Sequence, residues 1–208
     1  MFNKEFKTAI HNLSDLEKDK LILRLLRKDL DLANRLYFEL VDTETVEQKR
    51  EQLAKIISKK TKHANERFYS VGYLLMDIRY ISGDINEHVK ITKDKFGEIS
   101  LNLKMLNHLL TINNKRIETV TYSKAYTLCI YVIARAFKIL LLIKAMDEDY
   151  FLDFKENLST LGKLIYDNPF LMHTAIDNDL DVNWLILGEI PENIVAIHKE
   201  IRANGFLK

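Results

Sequence analysis

Ile85-Asn86-Glu87-His88-Val89-Lys90-Ile91-Thr92-Lys93-Asp94-Lys95-Phe96-Gly97-Glu98-Ile99-Ser100-Leu101-Asn102-Leu103-Lys104-Met105-Leu106-Asn107-His108-Leu109-Leu110 carries the cleanest periodicity in the chain. Its seam positions are Ile85, Val89, Thr92, Phe96, Ile99, Leu103, Leu106 and Leu110, and they advance by alternating steps of four and three. Such steps keep one side of an α-helix turned toward a neighbour, as in a coiled coil or a long bundle. Upstream, Val46, Leu53, Ile57, Ala64, Phe68, Val71, Leu75 and Ile78 form a second stripe, which predicts one long helix over 45–81, kinked near Thr61. Ser82-Gly83-Asp84 between the two stripes reads as a helix end, with a glycine cap and an aspartate ready to cap the next helix. Two long helices joined by a short turn pack antiparallel.

The rest of the chain fits around this pair. Ser14-Asp15-Leu16-Glu17 has the form of a capping box and opens a helix to about Arg27. After a break at Lys28-Asp29, Leu32, Ala33, Leu36, Tyr37 and Leu40 predict a second short helix, completing an αα-hairpin. Asn113-Asn114 reads as a stop, and Ile117 to Thr121 as a β-branched loop or extended segment. From Ser123 to Ala145 apolar residues fall almost all round the helix, which predicts a central position. Further on come a helix over 150–166, a break at Pro169, an apolar anchor at Trp184-Leu185-Ile186-Leu187 and a last helix over 192–204.

Composition supports the same class. The chain has 208 residues, 47% of them hydrophobic, with six glycines and two prolines, Pro169 and Pro191. Long helices are the simplest way to run 168 residues without proline. The expectation is a single all-α domain over 1–208: a bundle of about seven to eight helices with two long antiparallel central ones, or an irregular αα-superhelix. Arg135 and Lys138 interrupt the most apolar run, which therefore reads as a buried helix, not a membrane anchor. The charged start of the chain does not read as a leader, and a lone cysteine, Cys129, suits a reducing cytoplasm. Net charge is +1, but residues 1–146 carry net +8 and residues 147–208 net −7. Such a division suits head-to-tail attraction, an internal electrostatic interface, or a basic face for an acidic partner.

The stretch from Leu13 to Leu26, with Asp29-Leu30-Asp31-Leu32-Ala33 after it, resembles the helical pairs of HEAT-like and armadillo-like proteins. The chain as a whole resembles an all-helical bacterial family of no known activity. No 40-residue period repeats the hairpin downstream.

Few residues point to chemistry. Of the six histidines, no two stand four apart and none has a glutamate three residues before it, which removes zincin and di-iron bundle patterns. No arginine stands four to six residues before a histidine, as small helical ribonucleases of the HEPN class require. Asp84/His88 and His173/Asp177 each share a helix face and could orient an imidazole. Asp149, Asp153 and Glu156 form an acidic stripe, and with Glu44, Glu47 and Glu51 on a facing helix they would suit Mg²⁺-dependent phosphohydrolase chemistry.

The most distinctive surface combines Lys55, Lys59 and Lys62 with Tyr69, Tyr73 and Tyr80, placed by the expected long helix on one face. Tyrosines give large contact area at low entropic cost, and lysines beside them can meet carboxylates or phosphates. The leading expectation is a cytoplasmic, non-enzymatic interaction or scaffold protein, needing no cofactor and no metal, that binds another protein or its own copy. Nucleic-acid binding through the basic/tyrosine face of residues 49–80 is the first alternative, and the Mg²⁺ phosphohydrolase the second.

Overall fold

In a computed structural model describing residues 2–207, the chain is all-α, and the described residues contain no strand. The helices are α1 (Lys4–His11), α2 (Asp15–Leu26), α3 (Leu30–Leu40), α4 (Val46–Glu66), α5 (Val71–Thr92), α6 (Lys95–Glu118), α7 (Tyr122–Lys144), α8 (Phe151–Tyr166), α9 (Pro169–Asp177), α10 (Asn183–Ile186) and α11 (Ile194–Ala203). A single 3₁₀ turn, Glu148–Tyr150, precedes α8. The described residues thus form eleven α-helices where the sequence predicts seven or eight, because α1, α9 and α10 are short and the helix expected over 45–81 divides in two.

The helix expected over 45–81 is two helices. Arg67 ends α4, and the Ser70 hydroxyl starts α5 by accepting the Tyr73 N–H at 3.3 Å. α5 then runs straight through Ser82-Gly83-Asp84, because Ile81, Ser82 and Ile85 all face the core while Gly83 lies on the exposed side. The true break falls at Lys93-Asp94, where Lys93 adopts a left-handed φ of 58° and the Asp94 side chain accepts the Gly97 N–H at 2.8 Å. The break between the two central helices is therefore displaced by about three turns from its expected place.

Cross-helix pairs fix the directions. Arg50 meets Asp94 and Lys60 meets Asp84, so α4 and α5 run antiparallel. Asn107 reaches the Asn157 carbonyl and Asn114 the Leu164 carbonyl, so α6 and α8 run parallel. α6 is the axis, packed by α4, α5, α7 and α8. Its asparagines work as stitches: Asn113 donates to the Asn65 side chain on α4, and Asn168, the cap of α9, donates to the Asn114 carbonyl at 3.0 Å. Asn113-Asn114 consequently continues the helix instead of stopping it, and α6 extends to Glu118 through part of the segment expected as loop.

α7 is the one helix among the described residues long and apolar enough to cross a membrane. Its Leu128, Ile133, Phe137 and Leu140 are fully packed inside the bundle. Arg135 donates to the Tyr131 hydroxyl at 2.6 Å, and Lys138 pairs with Glu98 of α6.

The tightest junction lies where α4, α5 and α6 meet. Arg50 grips the Asp94 carboxylate with two donors, at 2.6 and 2.8 Å, and His88 Nε2 lies 3.0 Å from the same group. A Cβ on Gly97 would stand 2.0 Å from Asp94 Oδ2, so only glycine admits this approach. Burial raises the Asp94 pKa, but the hydrogen bonds of His88, Arg50 and the Gly97 N–H outweigh it and hold the carboxyl at about 2, against an ordinary 3.8. The folded value lies below the unfolded one, so the stabilisation is complete above 3.8 and lost as pH falls through about 2. It amounts to about 2 kcal/mol. Asp94→Ala should cost ~2–4 kcal/mol in chemical denaturation at neutral pH, because α6 loses its cap and the half-buried Arg50 keeps only Glu47, at 3.8 Å, as a partner. Melts of the native chain should show an acid-labile step between 3.8 and about 2 that Asp94→Asn lacks.

Candidate interaction surface

α4 lies on the outside of the bundle, with α5 on one side and α6 on the other. Its Lys55, Lys59 and Lys62 are exposed and rise along it at steps of four and three. They form a ridge between two grooves. On the α5 side, Lys59, Lys60, His63, Asp77, Tyr80 and Ile81 line a groove of about 510 Å³. On the α6 side, a groove of about 660 Å³ holds Lys62 with Thr61, Asn65, His108 and Arg116.

The tyrosines belong to α5 and the turn before it. Tyr69 is 79% exposed, Tyr73 57% and Tyr80 67%, and half-exposed Met76 continues the stripe between the last two. Ser70 sets this arrangement, since its cap starts α5 between Tyr69 and Tyr73 and lets the two rings meet edge-on, with centroids 5.1 Å apart. The lysines and tyrosines therefore occupy two antiparallel neighbours, not one continuous helix face. Lys59 and Tyr80 share a groove; Lys62 turns to the other one, where Glu66 lies 3.8 Å away.

The electrostatics of the two grooves differ. Burial pushes the Asp77 carboxyl up, and the nearby His63 partly opposes this. In the α6-side groove, burial and the charge of Lys104 push the His108 imidazole down, favouring its neutral form. Arg116 is fixed by donating to the Asn65 carbonyl at 2.7 Å and to Asn113 Oδ1 at 3.1 Å, while its guanidinium lies over Phe68. Sequence reasoning passed over His108 and Arg116. Their spacing through Ile112 puts all three on one face of α6, which was the available signal.

The remaining candidates do not converge. His88 is paired with Asp94, not with Asp84, which instead meets Lys60. His173 and Asp177 do meet, at 3.4 Å, as a largely exposed pair beside Tyr122. Asp149, Asp153 and Glu156 are exposed, and among the described residues no three carboxylate, histidine or cysteine groups are placed to share an ion. No protein family, curated protein or solved structure matches the chain.

Cys129 is buried on α7, and burial pushes its thiol up to about 12 despite a hydrogen bond from Thr174. A thiol held protonated is a poor nucleophile. The native protein should therefore resist a thiol-specific dye at neutral pH, and the dye should titrate one group only as denaturant unfolds the chain.

Proposed function

We propose that this chain is a non-enzymatic helical interaction module of the cytoplasm. Its contact surface is the α5 stripe Tyr69, Tyr73, Met76 and Tyr80, bordered by Lys55, Lys59 and Lys62 of α4. The observation that carries this reading is the exposure of three tyrosines in one stripe, on a helix whose opposite side supplies Leu74, Ile78, Ile81 and Ile85 to the core. The helix is thus anchored without the tyrosines, which leaves them free to bury against a partner. Tyrosine is enriched among residues that dominate binding energy, whereas acids and lysines more often form the rim. The chemistry fits a partner protein with an apolar patch edged by carboxylates.

Nucleic acid is the second reading, favoured by the placement of Lys59 beside Tyr80 in one groove. The two separate in a pull-down at low salt from the native cell, run with the wild type, Tyr73→Ala and Lys59→Glu. Tyr73→Ala should leave stability within about 0.5 kcal/mol of wild type, since it removes an exposed side chain. It should release a stoichiometric protein partner, with affinity down roughly tenfold or more. An unfolded Tyr73→Ala protein would instead make the tyrosines structural. Recovery of nucleic acid that is lost with salt and with Lys59→Glu would transfer the surface to the second reading.

A further inference from the structure

We propose that α1 of one copy docks into the acidic-edged apolar groove between the end of α7 and the start of α8 on a second copy, joining chains head to tail. This contact uses neither the tyrosine stripe nor the α4 lysines, so it stands apart from the function proposed above.

Every residue from Phe2 to Asn12 is exposed, and α1 has no helix packed along it among the described residues. Phe2, Phe6 and Ile10 nevertheless form one apolar stripe, with the two phenylalanine rings stacked at 5.1 Å. Lys4, Lys7 and His11 lie on the other side. A helix of eight residues is too short to be stable on its own in water, so burying that stripe is its main available source of stability. The arm itself carries Lys4 and Lys7 against a single acid, Glu5.

The complementary surface lies at the other end of the chain. A groove of about 610 Å³ has apolar walls from Ile143, Met146, Phe151 and Leu152, with Asp147 and Glu148 at its edge beside Lys144, whose charge is taken by Glu192 at 2.7 Å. Leu152 is 76% exposed and presents its side chain on the groove wall. Gly188 keeps the groove open. It adopts a left-handed φ of 74°, and a Cβ there would stand 2.6 Å from the Phe151 ring, forcing that wall to move. Residues 147–208 carry a net −7, opposite in sign to the arm. A short amphipathic helix laid into an apolar groove is a recurrent recognition mode, and opposite charge at the rim sets its orientation.

A second copy is favoured over a lipid surface because the groove supplies both apolar walls and the acidic edge. Three apolar side chains on and beside a helix of eight residues would hold a bilayer weakly. The contact is heterologous, so two chains can exchange arms or a longer series can close into a ring.

The test is sedimentation velocity on the full chain over a wide concentration range at low salt, with melts to verify folding. Wild type should self-associate, and Phe6→Glu and Leu152→Glu should each weaken association by roughly tenfold or more. Both positions are exposed, so neither variant should lose thermal stability. An equimolar mixture of the two variants should form a one-to-one pair, since one keeps its groove and the other its arm. Wild type that stays monomeric, single variants that associate like wild type, or a mixture that stays monomeric would each overturn the proposal. So would Phe6→Glu that abolishes binding to anionic vesicles while leaving self-association unchanged.

Discussion

The buried carboxylate of Asp94 sets the geometry on which the rest of this bundle depends. It ends one helix pair and starts the next by capping α6, and it takes the Arg50 guanidinium from α4 and the His88 ring from α5. Burying a charge is costly unless its lone pairs are filled. Here four donors surround one side chain of a residue that is 5% exposed, and the Arg50 guanidinium also lies 4.7 Å from the Phe96 ring centroid. A one-turn slip of α4 would strand both Arg50 and Asp94. The junction therefore fixes register, a task that the apolar seam alone performs poorly because leucine and isoleucine tolerate sliding.

That register determines what reaches the surface. With Arg50 held at one end and Asn65 bonded to Asn113 and the His108 carbonyl at the other, α4 cannot rotate. Ile57, Thr61 and Ala64 must then face inward, and Lys55, Lys59 and Lys62 outward. The same constraint on α5 buries Leu74, Ile78 and Ile81 and leaves Tyr73, Met76 and Tyr80 outside. The candidate surface is a consequence of core register: its residues do not hold one another in place beyond the Tyr69–Tyr73 contact.

The all-α class and many core positions of α5 to α7 were legible in the sequence because periodicity reports which side is buried; whether the tyrosines face the core or the solvent was not. Boundaries were not. Gly83 looked like a terminator, yet an exposed glycine in mid-helix costs only about 1 kcal/mol, which the burial of Ile81 and Ile85 outweighs. The real break at Lys93 uses a lysine in the left-handed region, where no composition rule would place it. Asn113-Asn114 looked like a stop because asparagine competes with helical hydrogen bonds. Once buried, the pair finds partners on α4, α8 and α9, and the competition disappears. The surface suffered from the same gap: a single helix over 45–81 joins lysines and tyrosines along one line, whereas the turn at Arg67 folds them side by side.

The chain is also built by two different means along its length. α6 is helical because burial makes it so: its asparagines and β-branched residues are poor helix formers, and fourteen of its residues are buried. α1 to α3 are helical because their ends are capped: Asn3, Ser14 and Asp29 each accept a backbone N–H three residues on, and Glu17 completes a capping box. No residue of these three helices is buried, although Leu16, Ile22, Leu23, Leu30 and Leu40 are among them. Caps each contribute about 1 kcal/mol, enough to bias a short segment but not to hold it against thermal fraying. Such segments belong to the low-stability end of a fold, where opening is inexpensive and binding can supply the missing burial. The uneven distribution of packing thus leaves the N-terminal helices as the part of the molecule that gains most from a partner.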